Sequence, residues 1–132
     1  METERLREIA EALLRVSPRC EAAGRDQLAG ARFVLAGCAR ALSHDIVVAP
    51  AWPALPPGCP TVLGEADGAD AEGRRATVTL HSSSGRLTRL EVVPIDAGAG
   101  LPLPETLRRL TAVRRGGDVV WLVPELTTIL GE

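Results

Sequence analysis

Hydrophobic residues near the start of the chain recur at helical spacing. The apolar positions Leu6, Ile9, Leu13 and Leu14, with Ala10 between them, repeat at helical spacing. Pro18 favours extended backbone at the residue before it and so ends the helical pattern. We therefore predict a first helix over about 3–16.

A second apolar series runs from Leu28 to Leu42 at the same spacing and predicts a helix over about 25–42. Gly30 and Gly37 oppose it, because a glycine costs about 1 kcal/mol relative to alanine inside a helix. Residues 31–36 could instead form a short strand. Periodicity favours the helix.

The middle of the chain alternates between short apolar runs and turn-forming segments. The run 46–49 predicts a buried strand, and five prolines within 50–60 predict an extended loop. Residues 61–64 are a candidate to resume a strand. The acidic, small and turn-rich stretch 65–73 predicts a mobile surface loop.

A β-hairpin is predicted over about 74–82 and 86–95 because polar and apolar residues alternate with the period of a strand. A three-residue loop, 83–85, places Leu80 opposite Thr88. One face is then apolar and contains Ala76, Val78, Leu80, Leu90 and Val92. The other face is polar and contains Thr77, Thr79, His81, Arg89 and Glu91.

Towards the C-terminus, Pro104 and Glu105 precede Leu107 and Leu110 at helical spacing, and Gly116 is a stop signal. These features predict a third helix over about 104–115. The apolar run that follows predicts a strand over about 119–123. We therefore expect one α+β domain over 1–132: two N-terminal helices, a small, mainly antiparallel sheet with a central hairpin, a third helix and a C-terminal strand.

Composition narrows the class of protein. The chain is 45% hydrophobic and 24% charged, as is usual for a folded domain. A net charge of −2 argues against a nucleic-acid partner, which would require a basic excess. With no basic leader and no long apolar stretch, we expect a cytoplasmic protein without a membrane partner.

The cysteines are Cys20, Cys38 and Cys59, an odd number without a Cys-x-x-Cys pair. This arrangement predicts neither a disulfide framework nor a zinc site.

Two groups of residues are candidates for chemistry. His44 could act as a general base and the neighbouring Asp45 as the carboxylate that orients it. Cys38 would then be the nucleophile. We favour structural roles for all three, since neighbours in sequence do not necessarily lie within catalytic reach of each other. The acids at 65, 67, 70 and 72 lack a recognised calcium spacing. We therefore predict no catalytic residue, metal site or cofactor.

Candidates for binding a partner are more numerous. Trp52, between two prolines, either anchors an interface or caps the core. The segment 74–115 has 8 Arg and 3 acidic residues. Within it, a basic face towards an acidic partner, or equally a solvated surface, could be formed by Arg74, Arg86, Arg89, Arg108 and Arg109. With the polar face of the hairpin, the candidate contact residues are Trp52, Thr77, Thr79, His81, Arg86, Arg89 and Glu91.

The hairpin sequence Ala76-Thr77-Val78-Thr79-Leu80, the turn through Gly85-Arg86-Leu87 and the segment 90–96 resemble the C-terminal hairpin of small bacterial immunity-type proteins. This resemblance implies binding to, and neutralisation of, a toxin.

Our hypothesis is a non-catalytic module that binds another protein, as an immunity-type protein or an accessory subunit. One alternative is a small enzyme or ligand-binding domain that uses His44 and Asp45. Another is a secretion-chaperone-like or self-associating subunit, in which the strand over 119–123 pairs across a homodimer.

Overall fold

A computed structural model of the chain describes residues 2–36, 43–96, 98, 100, 102, 106–116 and 119–122. Two helices precede a series of strands. In chain order the elements are α1 (Glu2–Leu14), α2 (Pro18–Ala29), β1 (Arg32–Leu35), β2 (His44–Val47), β3 (Val62–Ala69), β4 (Arg75–Ser83), β5 (Arg86–Pro94), β6 (Arg108–Gly116) and β7 (Val119–Leu122).

Within the described ranges, seven strands form one sheet in the order β1-β2-β5-β4-β3-β6-β7. Every neighbouring pair is antiparallel. The predicted hairpin is β4–β5, and it lies at the centre of the sheet. The α+β class is confirmed.

The first predicted helix is confirmed as α1. Its apolar stripe is buried and packs on β3 and β4. Pro18 ends the first helical pattern and is also the first residue of α2. At that position a backbone N–H would have no partner within the helix, so proline, which lacks it, is well tolerated. Arg7 of α1 donates to the carbonyl oxygens of Leu28 (2.8 Å) and Ala31 (2.9 Å) and so caps the end of α2.

The second predicted helix is wrong in extent. The helix α2 begins earlier than the predicted residue 25 and ends at Ala29, and Arg32–Leu35 form β1. The alternative of a short strand over 31–36 is therefore the correct one, and residues 37–42 lie outside the described residues. Gly30, which opposes the predicted helix, is the C-cap residue that directly follows α2.

The segment over 65–73 was predicted to be a loop, but its first half is part of β3. Small residues point towards α1: a Cβ added at Gly64 would overlap the carbonyl oxygen of Leu13. The acidic residues between them, Glu65 and Asp67, point away from the helices. Strand pairing on both sides outweighs the low strand propensity of Gly, Ala and Asp.

The turn between β3 and β4 is organised by the buried Asp70. Its carboxylate accepts hydrogen bonds from the backbone N–H groups of Glu72 (2.9 Å) and Arg74 (2.8 Å). It also accepts one from Nε of Arg74 at 2.8 Å. Gly73 has a φ of +81°, which the tight turn requires.

The two faces of the hairpin are confirmed, whereas its predicted register is wrong by two residues. Ala76, Val78, Leu80, Leu90 and Val92 are all fully buried. Leu80 pairs with Leu90 rather than with Thr88. The loop is a two-residue turn in which Ser84 (φ +52°) and Gly85 (φ +78°) are both left-handed, and a register shift beside Thr88 takes up the extra residue. A shift by two leaves each side chain on its predicted face.

The third predicted helix is wrong where the structure describes it, since Arg108–Gly116 form β6 and pair with β3. Leu107, just before β6, and Leu110, within it, are both buried as the helical pattern also requires, so their burial does not distinguish the two structures. At the C-terminal end, β7 covers Val119–Leu122 and pairs with β6. Residue 123 lies outside the described residues.

The cysteines correct another prediction, because Cys20 and Cys59 form a disulfide. The bond joins the first turn of α2 to the proline-rich loop between β2 and β3. Cys38 lies outside the described residues.

Candidate functional site: the open face of the sheet

The described helices pack on one face of the sheet, and the side chains that point the other way form what we call the open face. At its centre lie three neighbouring strands, β3, β4 and β5, with β2 beside them. Strand register places on this face Asp45, Glu65, Asp67, Thr77, Thr79, His81, Arg89, Glu91 and Val93.

Three residues of β4 hydrogen-bond to carboxylates on the two neighbouring strands. The hydroxyl of Thr77 donates to Asp67 (2.8 Å) and that of Thr79 donates to Glu65 (2.9 Å). Nε2 of His81 lies 2.8 Å from Oε1 of Glu91. The centre of the open face is therefore a ladder of carboxylates, each held in place by a side chain of β4.

The ladder continues towards β2 as an ion pair. Nε of Arg89 donates to Oδ1 of Asp45 at 3.2 Å across the β2–β5 pairing. Two of the arginines that could form a basic face are instead paired with acidic residues, Arg89 with Asp45 and Arg74 with Asp70.

Two shallow depressions on the open face are exposed to solvent. One is lined by the His81–Glu91 and Arg89–Asp45 pairs with Ser82 and Thr88. The other lies over the carboxylate ladder and ends at the apolar residues Val93, Pro94 and Ile95. Val93 is 42% exposed. A partner would thus meet hydrogen-bonding groups and an apolar border on one surface.

Of the seven predicted contact residues, five lie on the open face. Thr77, His81, Arg89 and Glu91 are at least partly accessible. Thr79 is only 5% exposed, because it is covered where it donates to Glu65. Its role on the open face is to hold that carboxylate.

The other two predicted contact residues, Trp52 and Arg86, lie together near the hairpin turn. The guanidinium of Arg86 donates to the carbonyl oxygens of Trp52 and Pro50. The indole of Trp52 packs against Gly30, where an added Cβ would lie 2.9 Å from Nε1. Trp52 is nevertheless 37% exposed, so it both covers the end of α2 and remains accessible.

The proline-rich loop that carries Trp52 is fixed by a buried glutamine. Nε2 of Gln27 donates to the carbonyl oxygens of Pro53 and Gly85, each at 2.9 Å, and its Oε1 accepts from the N–H of Leu87. One fully buried side chain thus joins α2, the loop and the hairpin turn. Neither Trp52 nor Arg86 owes its position to local sequence alone.

His44 and Asp45 do not form the catalytic pair considered from the sequence. They are successive residues of β2 and therefore point to opposite faces. His44 is buried under the helices, with no hydrogen-bond partner for Nδ1 in the described part of the chain, while Asp45 pairs with Arg89 on the open face.

The acids once considered as metal ligands are also separated by the fold. Glu65 and Asp67 belong to the carboxylate ladder, and Asp70 belongs to the turn. The described residues contain no group of three or more His, Cys, Asp or Glu placed to hold a metal ion. Neither of the described helices has the length and apolar character needed to cross a membrane.

Sequence reasoning missed Asp45, Glu65 and Asp67 as members of this face. The signal was present in the alternation Gly64-Glu65-Ala66-Asp67-Gly68, which has the period of a strand with small residues on one side. Its abundance of glycine and acidic residues is also typical of a surface loop, which is the structure that the sequence predicts.

Comparison with known proteins identifies no relative: no family model matches the chain, and no curated protein or solved structure matches it.

Proposed function

We propose that this protein is a non-catalytic module that binds another protein through the open face, as an immunity-type protein or an accessory subunit. One observation carries the proposal. The face opposite the described helices is not a loose polar surface, since cross-strand hydrogen bonds hold its side chains in fixed positions. Pre-positioned side chains lose less conformational entropy when a partner binds.

The chemistry of the ladder determines the kind of partner. The carboxylates of Glu65, Asp67 and Glu91 are hydrogen-bond acceptors on three neighbouring strands. The surface that fits them supplies donors, as Arg and Lys side chains do, and a short apolar strip would meet Val93 and Ile95. We therefore propose a protein partner with a basic contact surface, rather than the acidic partner that the arginine count leaves open.

The end of the open face near the hairpin turn supports the same use. Trp52 and Arg86 are residue types that often dominate the binding energy of an interface. Here both are held by contacts with the loop and with α2. We propose that they extend the contact surface beyond β5.

The test is affinity capture with the full chain from its native cells, followed by measurement of binding to the purified partner. Val93→Arg adds a cation at the apolar border of the open face without removing a buried side chain. Ala22→Arg makes the same addition at an exposed position of α2. We expect the Ala22→Arg variant to bind as the wild type does and the Val93→Arg variant to bind at least about tenfold more weakly.

Two results would contradict the proposal: capture that recovers no stoichiometric partner, or equal binding by both arginine variants. Far-ultraviolet circular dichroism and thermal unfolding of each variant show whether a loss of binding reflects a loss of fold. A basic partner also predicts weaker binding in about 1 M salt than in about 0.1 M salt, because salt screens charge pairs.

Self-association is a second candidate, and the edge strand β1 favours it. In the described part of the chain this strand pairs with β2 alone, and Val34 (45%) and Leu35 (58%) are both exposed on it. An exposed apolar edge strand readily pairs with another strand. Sedimentation showing a monomer at all concentrations would remove this candidate.

A further inference from the structure

The disulfide between Cys20 and Cys59 is the one covalent link between distant parts of the described chain. The two residues are 39 positions apart, and their Cα atoms are 6.2 Å apart. Cys20 is 2% exposed and belongs to the hydrophobic core, and Cys59 packs against that core. The bond is therefore built into the fold rather than placed on the surface.

The loop between β2 and β3 needs fixing, because it is long, rich in proline and without its own helix or strand. Side chains of α2 hold its carbonyl groups: Gln27 binds that of Pro53, and Arg19 donates to that of Pro57 at 2.8 Å. Further along the loop, the disulfide holds Cys59 shortly before β3 begins. These contacts place the two cysteines side by side, so that the bond completes an existing arrangement.

A structural disulfide indicates the redox state of the compartment in which the protein folds. Structural disulfides form and persist in oxidising compartments, whereas reducing systems in the cytosol keep most thiols free. We propose that Cys20–Cys59 is a structural disulfide formed as the chain folds in an oxidising compartment, where it fixes the loop that carries Trp52. This inference is independent of the proposed function and opposes the cytoplasmic location expected from the sequence.

The Cys20–Cys59 bond forms by thiol–disulfide exchange. Each thiol loses one proton, and the two sulfurs together give up two electrons as the S–S bond forms. The oxidant is a disulfide, of a thiol oxidoreductase or a small molecule such as oxidised glutathione, and it leaves as two thiols. A buried product bond such as this one is shielded from attack by other thiols.

The direct test measures the oxidation state in native cells. Cells are quenched in acid, free thiols are blocked with one alkylating reagent, and thiols released by reduction are labelled with a second. Trypsin places each cysteine in its own peptide, 20–25, 33–40 and 41–74. We expect the second label on Cys20 and Cys59. The first label on both would overturn the proposal.

A second measurement asks whether the bond supports the fold. In thermal unfolding without reductant, we expect the double variant Cys20→Ser/Cys59→Ser to melt lower than the wild type by on the order of 10 °C. The matched control, Cys38→Ser, should retain the wild-type response to reductant, which the double variant should lack. The proposal would also be overturned if the wild type and the double variant melted at the same temperature and if reductant did not lower the melting temperature of the wild type.

Discussion

The two faces of the β4–β5 hairpin are built from alternate residues of the same strands, yet they differ in what holds them. On the covered face, Val78, Leu80 and Leu90 are fully buried against the helices. On the open face, the hydroxyl of Thr77 donates to Asp67, and His81 and Glu91 are hydrogen-bonded to each other. Apolar burial stabilises the fold, whereas the polar ladder arranges a surface. Substitutions should therefore separate stability from binding according to the face they alter.

Substitutions of two neighbouring residues of β5 should give the largest difference in the free energy of unfolding. Leu90→Ala removes a fully buried side chain and should lower the free energy of unfolding by about 2–5 kcal/mol. Arg89→Ala removes an exposed ion pair with Asp45 and should lower it by less than about 1 kcal/mol. Urea unfolding, with equal slopes for both variants, measures the difference. Equal losses would show that the open face contributes to stability as much as the core does.

The approach of α1 to the sheet gives the next contrast. In Gly64→Ala the new Cβ would lie 2.9 Å from the carbonyl carbon of Leu13, and a backbone atom cannot rotate away as a side chain can. We expect a loss of about 1–3 kcal/mol in the free energy of unfolding. Gly98→Ala is the control, because no atom lies within 4 Å of its added Cβ. If both variants unfold at the same urea concentration, α1 does not pack as closely on β3 as described.

The covered face could be predicted from the sequence because alternation alone assigns side chains to faces. Leu80 and Leu90 are on the predicted side even though the turn and the register were wrong, since a two-residue slip preserves the period of a strand. The first helix was also predictable from its pattern, because the apolar residues that repeat at helical spacing are the ones that α1 buries.

The remaining elements depended on contacts between distant residues. Leu107 and Leu110 have the spacing of a helix, and only the pairing of β6 with β3 shows that the segment after Leu107 is a strand. Glu65 and Asp67 lie in a strand because β4 and β6 flank it, against the propensity of the surrounding residues. The spacing of Cys20 and Cys59 carries no information about their contact, which α2 and the proline-rich loop create.

The smallest effect is expected at the exposed end of the open face, where Arg75 and Asp96 form a two-point ion pair with both distances 3.0 Å. The hydrogen bond from Arg75 and, to a lesser extent, its positive charge lower the pKa of Asp96 below its ordinary value of 3.8. A lowered pKa in the folded state stabilises the fold above the unfolded pKa, and this contribution is lost as the pH falls through the folded value.

Asp96→Asn should therefore shift the urea midpoint at about pH 7 only slightly, and by less than Leu90→Ala or Gly64→Ala does, because the pair is exposed and screened by solvent. The difference between the wild type and Asp96→Asn should be smaller at about pH 2.5 than at about pH 7, because the wild-type carboxyl group loses charge as the pH falls towards its lowered pKa. Unfolding curves at the two pH values measure this change. A difference that grows in acid would mean that Asp96 stabilises the fold in its protonated form, which the ion pair with Arg75 does not allow.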